Sequence, residues 1–327
     1  MKNRQKHITI NWLRANGFMR ACLILVLVLN GVFLSQAAAA IETHFLYQLS
    51  NFQGPVSSTW ARIHVDEKKN EIYVINQRET DIRIFNDLGM EVYRFGDDGS
   101  LGGVLDLVVE EKGNILVLSR GRYNVSIIVC DFRGEPISEL KLKNLPEDFS
   151  GFSPTRMAFW NNRLYLLDSN ALMLVVTDTE GVFLNAYDLL ALIGLEEKKR
   201  DQVEVVGFSI DAHGNVLFSL PVLFKVFKLF PDGTITSFGE PGGAPGKFNL
   251  AGGVVADDRD NYFVADWLKS VVQVFDKDFT FQTQFGYRGT SQDNLVAPKY
   301  LALDSQGRLY VSQVNNRGIS VFKIDYE

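Results

Sequence analysis

The sequence predicts an all-β fold, a six-bladed β-propeller of four-stranded blades, on three observations. One phrase occurs six times: an apolar strand, a residue that leads into a turn with Gly or Asn, and a second apolar strand. Further segments with alternating apolar residues follow the copies. A strand-like segment at residues 44–49 precedes the first copy, and the sixth copy ends one strand short. Period-two alternation indicates strands, and a repeat of about 45 residues is typical of propeller blades.

The six copies place the blades in order along the chain. The residues that lead into their turns are 44 to 51 positions apart, which is room for four short strands. These residues are Asp66, Glu110, Trp160, Asp211, Asp257 and Asp304. A unit of this size cannot cover both faces of its own sheet, so we expect neighbouring units to pack radially.

The two ends of the repeat region complement each other. The sixth copy has three strands, and residues 44–49 form a strand without a blade. We expect this N-terminal strand to close the last blade as its outer strand. No incomplete blade would then expose a sheet edge.

The first forty residues are predicted to be a signal peptide. An apolar stretch at residues 21–34 follows Arg20 and runs into small residues at 35–40, as in cleaved export signals. A start at Met19 would make this signal more compact. An uncleaved anchor is the alternative, but it needs about 20 apolar residues. We therefore expect export to the periplasm, cell surface or exterior, and residues 41–327 as a single propeller without a membrane span.

Charge and cysteine content exclude several classes of protein. Residues 1–40 hold five basic residues and no acidic one, so their removal makes the formal net charge of -6 more negative by five. An acidic chain without basic clusters is not expected to bind nucleic acid. Cys130 is the only cysteine outside the predicted signal, which excludes an intrachain disulfide and covalently bound haem in the mature chain.

Three phrases resemble NHL repeats: FVADWLKSVVQVFDKD from Phe263, APKYLALDSQGRLYVSQVNNRGISVF from Ala297, and TQFG from Thr283. The resemblance covers nearly all of residues 43–325 and is strongest in blades 5 and 6. It implies a six-bladed propeller of the exported, bacterial type. NHL-type propellers include interaction modules, and related rings include lyases and lactonases, so the resemblance implies no single activity.

Histidine content argues against a zinc lyase. Such enzymes on related rings bring several histidines together at the central channel. Here His44, His64 and His213 fall in the closing strand, the first strand of blade 1 and a turn of blade 4. We expect no metal, no cofactor and no catalytic residue. A divalent cation held by carboxylate and amide oxygens at the channel mouth, as in lactonase-like relatives, is the alternative.

One position in each blade is expected to face the channel where the first strand begins. Its occupants are Arg62, Asp106, Arg156, Gly207, Gly253 and Tyr300. NHL repeats commonly have Gly there, so the three charged residues and the Tyr are a departure. They predict either a polar funnel for a small anionic or zwitterionic ligand, or an internal pairing of Asp106 with both arginines that closes the channel. We favour the pairing, because buried charges must be compensated with or without a ligand.

The loops between second and third strands are apolar in blades 3, 4 and 5. Their apolar residues are Leu172, Met173, Val222, Leu223, Phe224, Trp267 and Leu268. An extra segment at residues 188–200 is predicted to contain a short helix capped by Asp188. It either covers these loops as an intramolecular lid or joins them in one docking surface for a partner.

Together these features favour an exported, noncatalytic propeller that acts as a protein-binding scaffold. Its partner would be an envelope or extracellular protein, and the chain would be a monomer or part of a larger assembly. The alternative is a lactonase-like hydrolase or lyase that uses the polar funnel with a divalent cation.

Overall fold

Six four-stranded sheets make up the fold, as predicted. The structure is a computed structural model that describes residues 41–76, 79, 81–122, 124–314 and 317–327. Residues 41–325 form one compact unit. The predicted signal peptide lies outside the described residues. Within them, no helix is long and apolar enough to cross a membrane.

The strands follow the predicted blades closely. The chain begins with β1 (Ile41–Gln48) and a small hairpin of β2 (Ser50–Asn51) and β3 (Gly54–Pro55). Blade 1 contains β4 (Arg62–Asp66), β5 (Glu71–Ile75), β6 (Ile82–Phe85) and β7 (Glu91–Phe95). Blade 2 contains β8 (Gly103–Val109), β9 (Ile115–Arg120), β10 (Val125–Cys130) and β11 (Pro136–Leu140). Blade 3 contains β12 (Arg156–Trp160), β13 (Arg163–Asp168), β14 (Met173–Thr177) and β15 (Phe183–Asp188).

The second half of the ring repeats this order. Blade 4 contains β16 (Phe208–Ile210), β17 (Val216–Leu220), β18 (Lys225–Leu229) and β19 (Ile235–Phe238). Blade 5 contains β20 (Ala251–Ala256), β21 (Tyr262–Asp266), β22 (Val271–Phe275) and β23 (Phe281–Gly286). Blade 6 contains β24 (Tyr300–Leu303), β25 (Arg308–Ser312) and β26 (Ile319–Tyr326). The described helices are an α-helix, Leu189–Leu192, and three 3-10 helices, Glu147–Phe149, Glu197–Gln202 and Pro221–Leu223.

The ring is closed by the N-terminal strand. The first strand of each blade contacts the first strand of the next blade, including β24 with β4. The order β1-β26-β25-β24 makes β1 the outer strand of blade 6, which confirms the predicted closure. Phe45 on β1 packs edge-on against Phe322 on β26, with ring centroids 5.8 Å apart. Both ends of the described chain therefore lie in one sheet.

Apolar side chains between adjacent blades form the core. Ile75 and Ile82 of blade 1, for example, pack with Leu107 and Val117 of blade 2 in one buried cluster. The alternation read from the sequence supplies this packing, because every second residue of a strand faces the same neighbouring blade. Stability therefore rests on contacts between blades rather than on a core inside each blade.

The recurring acid has a local structural role at the first turn of the blade. In blade 4, Asp211 Oδ1 accepts the backbone N–H groups of His213 and Asn215, both at 2.9 Å. Blade 3 has Trp160 at this position and turns instead through Asn161 and Asn162, whose φ angles are 49° and 56°. Two asparagines with positive φ form the tight hairpin turn that matches the twist of the strands. The turn is therefore kept although its chemistry changes.

Candidate functional site

Of the six residues predicted to face the channel, the four that are not glycine meet in one cluster, which we call the channel plug: Arg62, Asp106, Arg156 and Tyr300. Arg156 Nε donates to Asp106 Oδ2 at 3.1 Å, and Arg62 Nη1 lies 3.4 Å from the same oxygen. Both guanidinium groups lie over the Tyr300 ring, 5.8 Å from its centroid for Arg62 and 5.1 Å for Arg156. The three charged side chains are about nine-tenths buried. This arrangement corresponds to the expected internal pairing, in which Asp106 contacts both arginines and closes the channel.

The inner strands hold the plug in position. Arg62, Arg156 and Tyr300 are the first residues of β4, β12 and β24, and Asp106 follows a register shift in β8. Asp106 also accepts the backbone N–H groups of Met157, at 3.0 Å, and Leu107, at 3.1 Å. Its carboxylate is therefore bound by both arginines and by two blades.

The arginines also bind backbone carbonyls of neighbouring blades. Arg62 Nη1 donates to the carbonyls of Leu105 and Thr155, both at 2.7 Å. Arg156 Nη1 donates to the carbonyl of Val206 at 3.0 Å. These bonds link blades 1 to 4 at the beginning of their inner strands.

Blades 4 and 5 contribute no side chain to the plug, because their glycines lie against backbone. A Cβ atom at Gly207 would lie 2.3 Å from the carbonyl oxygen of Gly252. At Gly253 it would lie 2.7 Å from the backbone nitrogen of Leu301. The departure from Gly seen in the other four blades therefore marks where the ring leaves room for side chains.

The plug carries more positive than negative charge. Burial and, to a smaller extent, the nearby Arg156 lower the pKa of Arg62 to about 10, against the opposing effect of Asp106. Burial alone would raise the pKa of Tyr300, but Arg156, Arg62 and Lys299 together hold it below its usual value. The buried Nε of Arg62 has no hydrogen-bond partner among the described residues. One carboxylate therefore serves two guanidinium groups.

A cavity of about 590 Å³ opens above the plug, at the end of the ring where the inner strands begin; we call it the mouth. Arg62, Arg156, Tyr300 and Lys299 line it, together with the exposed side chains of Glu79, Arg120 and Glu204. A second cavity of about 60 Å³, lined by His64 and Met157 among others, lies on the far side of the plug. Lys299 was not predicted from the sequence, where its only signal is its position directly before Tyr300.

The three described histidines lie at separate places. His44 is on the outer strand β1, near Glu42. His64 Nε2 accepts the backbone N–H of Val109 at 3.1 Å, and burial lowers its pKa to about 4. His213 lies 3.5 Å from Asp260 in the turns of blades 4 and 5.

A group of possible cation ligands was not foreseen from the sequence. Oxygen or nitrogen atoms of Asp211, His213 and Asp260 lie within 4.8 Å of one another. The Lys228 ammonium group lies 3.1 Å from Asp211 and 3.8 Å from Asp260, so a cation is already present in the group. Tyr262 accepts a further hydrogen bond from Lys228 at 2.8 Å. These contacts join two blades, which no single repeat could reveal.

The predicted apolar surface is only partly exposed. Val222 and Leu268 are 59% and 65% exposed. Leu172 is fully buried, so it cannot contact a partner and is removed from this surface. The remaining members, Met173, Leu223, Phe224 and Trp267, are half-buried.

The segment after blade 3 explains the burial of Leu172. Asp188 caps the short helix by accepting the N–H of Ala191 at 3.1 Å, as predicted. Leu189 and Leu190 are buried in the same apolar cluster as Leu172, and Leu223 packs against that cluster. Arg200, at the end of the segment, forms an ion pair with Asp188, and its Nη2 atom lies 2.7 Å from Asp188 Oδ2. This arrangement corresponds to the lid alternative for the loops of blades 3 and 4.

Comparisons with known proteins find the same fold at low identity. No protein-family model matches the chain, and no curated protein matches it. An auxiliary nutrient binding protein from Bacteroides ovatus is 12% identical with a TM-score of 0.60, over 88% of this chain and 77% of that chain. Virginiamycin B lyase from Staphylococcus aureus is 12% identical with a TM-score of 0.56, over 86% and 99%. A streptogramin B lyase is 14% identical with a TM-score of 0.55, over 88% and 98%.

These similarities support the fold alone. The six-bladed propeller is confirmed, whereas the NHL repeat and the exported type stay predictions. Because related propellers differ in function, the site has to carry any functional argument.

Proposed function

We propose that this chain is a noncatalytic binding propeller that takes a small anionic ligand at its mouth. The observation that carries the proposal is the charge of the lining. Arg62, Arg156 and Lys299 supply three cations, and among the described residues Asp106 is the one carboxylate within ion-pair distance of any of them. Buried charges without compensation are costly, so an anion bound here would be favoured by the protein's own electrostatics.

The size of the mouth agrees with a small ligand. A cavity of about 590 Å³ falls within the range of roughly 300–1,000 Å³ that small-molecule sites occupy. Its floor is the plug, so a ligand would meet Arg62 and Arg156 without passing through the channel. The plug and the ligand site are then compatible, since Asp106 holds the arginines in place and leaves part of their charge uncompensated.

A titration with simple anions tests the proposal. Acetate, succinate, citrate and inorganic phosphate would be titrated into the purified protein and followed by calorimetry. We expect saturable binding that weakens in Arg156→Met and persists in Arg163→Met, a matched variant at an exposed arginine outside the mouth. Asp106→Asn should bind anions more tightly, because it removes the only carboxylate of the plug. If none of these probes binds to a saturating level, the proposed function is wrong.

A protein-binding role for the same end of the ring is the second candidate. Val222 and Leu268 support it, because both are well exposed on loops of adjacent blades. The envelope or extracellular partner would be sought by crosslinking in intact cells. Changing both residues to Ser should abolish the crosslink without lowering the melting temperature, and an unchanged crosslink would remove this candidate.

A lactonase-like hydrolase or lyase stays the alternative from another class. Lyases among the similar structures favour it, but the described lining offers no histidine to activate a nucleophile. Measuring metal in the purified protein separates the two classes. A stoichiometric divalent ion would favour the enzyme.

Export belongs to the proposal as well. The apolar stretch and small residues within positions 1–40 support it, and the similar nutrient binding protein is consistent with a place in the envelope. N-terminal sequencing of the mature protein tests it: a chain that retains residues 1–40 would contradict cleavage.

A further inference from the structure

Three aromatic rings surround the ammonium group of Lys299 at the mouth. Lys299 Nζ lies 4.6 Å from the ring centroid of Trp60, 4.8 Å from that of Trp267 and 5.4 Å from that of Tyr300. The two indole rings are 6.1 Å apart. We call Trp60, Trp267 and Tyr300 the aromatic cage. Rings at these distances attract a cation through their negative faces.

The cage is assembled from three separate parts of the chain. Trp60 precedes β4 of blade 1, Trp267 follows β21 of blade 5, and Tyr300 begins β24 of blade 6. Trp60 has a φ of 51°, a conformation that costs energy for a bulky residue. Its indole N–H is fixed by the carbonyl of Ala297 at 3.0 Å. Strain of this kind persists only where the surroundings impose it, so we infer that the surrounding chain holds the Trp60 indole in the cage.

The cage binds its lysine without help from a carboxylate. No carboxylate of the described residues lies within ion-pair distance of Lys299 Nζ. A lysine ammonium carries three N–H donors and is strongly hydrated, whereas a quaternary ammonium group has none and is weakly hydrated. Aromatic cages are the usual receptors for quaternary ammonium groups. The rings around Lys299 are thus better suited to such a group than to the residue they now hold.

The cage and the plug share one ring. Arg156 lies 5.1 Å from the centroid of Tyr300, and Lys299 Nζ lies 5.4 Å from the same point. A site for an anion and a site for a cation are therefore neighbours in the mouth. The exposed carboxylates of Glu79 and Glu204 line the same cavity, so a ligand that adds a positive charge to its carboxylate is favoured there over a plain anion.

We propose that the mouth binds a zwitterion. Its carboxylate lies at Arg62 and Arg156, and its quaternary ammonium group occupies the aromatic cage in place of Lys299. This inference rests on the proposed anion site and specifies its ligand class. Lys299 occupies the cage in the free protein and swings out on its flexible stem when the ligand binds. Its displaced ammonium group then faces the ligand's carboxylate or the solvent.

A pair of isosteric ligands isolates the contribution of the cage. The probes are trimethylammonium carboxylates with one to three methylene groups between the charges, and the matching acids in which a tert-butyl group replaces the trimethylammonium group. Shape is the same within each pair, and only the cation differs. Binding would be measured by calorimetry and by tryptophan fluorescence, since two indoles form the cage.

In the wild type, at least one zwitterion should bind more tightly than its tert-butyl partner by roughly 2- to 30-fold, the range of one cation–π contact. Trp267→Leu should abolish this preference, and Trp160→Phe, outside the mouth, should keep it. Lys299→Ala should increase the preference, because the ligand's ammonium group then enters an empty cage and no longer has to displace the lysine. Circular dichroism would show that each variant is folded.

The outcomes separate the two proposals. If both members of every pair bind equally in the wild type and in Lys299→Ala, the cage inference is overturned and the anion site stands. If neither member of any pair binds, the cage inference is overturned, and the titration with acetate, succinate, citrate and phosphate decides separately whether the anion site stands. A preference that survives Trp267→Leu would place the ammonium group elsewhere and would also overturn the inference.

Discussion

Replacing Asp106 by Asn removes the only negative charge of the plug without changing the shape of the side chain. The carboxylate is about nine-tenths buried and bonds to Arg156 at 3.1 Å and to the backbone N–H of Met157 at 3.0 Å. Arg62 lies 3.4 Å away. The substitution therefore leaves two buried guanidinium groups facing each other with no counter-charge.

The magnitude follows from the cost of breaking a buried ion pair. Removing one partner of such a pair costs about 3–5 kcal/mol, chiefly because a charge is left buried and uncompensated. The Asn oxygen keeps some of the backbone hydrogen bonds, so we expect a loss of about 3 kcal/mol in the free energy of unfolding. High salt should change this loss little, since buried pairs are screened weakly.

Urea denaturation followed by tryptophan fluorescence measures the effect. Asp178→Asn is the matched control, because Asp178 also accepts two backbone N–H groups, from Glu180 and Val182, but forms no ion pair with a described residue. The control should lose less than about 1 kcal/mol. Acetate should restore more stability to Asp106→Asn than to the wild type. If the two variants lose equal stability, the plug is not held by charge pairing and the reasoning fails.

Three further predictions concern closure, pH and the lid. A mature chain that begins at Ser50 instead of Ile41 should melt several degrees lower, because blade 6 loses its outer strand; an unchanged melting temperature would contradict closure. Burial lowers the folded pKa of His64 from 6.5 to about 4, so the unfolded chain binds the extra proton, and stability should fall as pH falls between these values. Urea titrations of His64→Gln should show a shallower pH dependence. Leu189→Ala should lower the free energy of unfolding by about 2–5 kcal/mol, because Leu189 is a core residue. The exposed Leu268→Ala should lower it by only roughly 0.5 kcal/mol. Equal losses in the two variants would exclude the lid.

The sequence was sufficient for the fold because a propeller repeats its local rules. The acid at the first turn and the alternating strands recur along the sequence. The strand that the sixth copy lacks is matched by the strand at residues 44–49. The structure places β1 at residues 41–48, slightly earlier than the predicted 44–49, and makes β26 its neighbour in the sheet of blade 6. Boundaries of this kind depend on a partner almost the whole chain away.

The site was predictable only where it follows the repeat. Arg62, Asp106, Arg156 and Tyr300 share one phase of the repeat, so aligning the copies was enough to group them. Trp60, Trp267 and Lys299 occupy three different phases, and the ring alone brings them together. Leu172 was misjudged for a related reason: its loop lies in the expected place, but the inserted segment after blade 3 covers it.

The ring's asymmetry explains why the charges gather on one side of the channel. In blades 4 and 5, Gly207 and Gly253 bring inner strands so close to the next blade's backbone that no side chain fits. The remaining blades supply side chains to the channel, and polar ones suit this place because they reach the backbone carbonyls of Leu105, Thr155 and Val206. One arginine can donate to several carbonyls at once. The two arginines bring two positive charges, however, and the single carboxylate of Asp106 compensates only one of them. The excess positive charge that we propose a ligand uses thus follows from how the channel is closed.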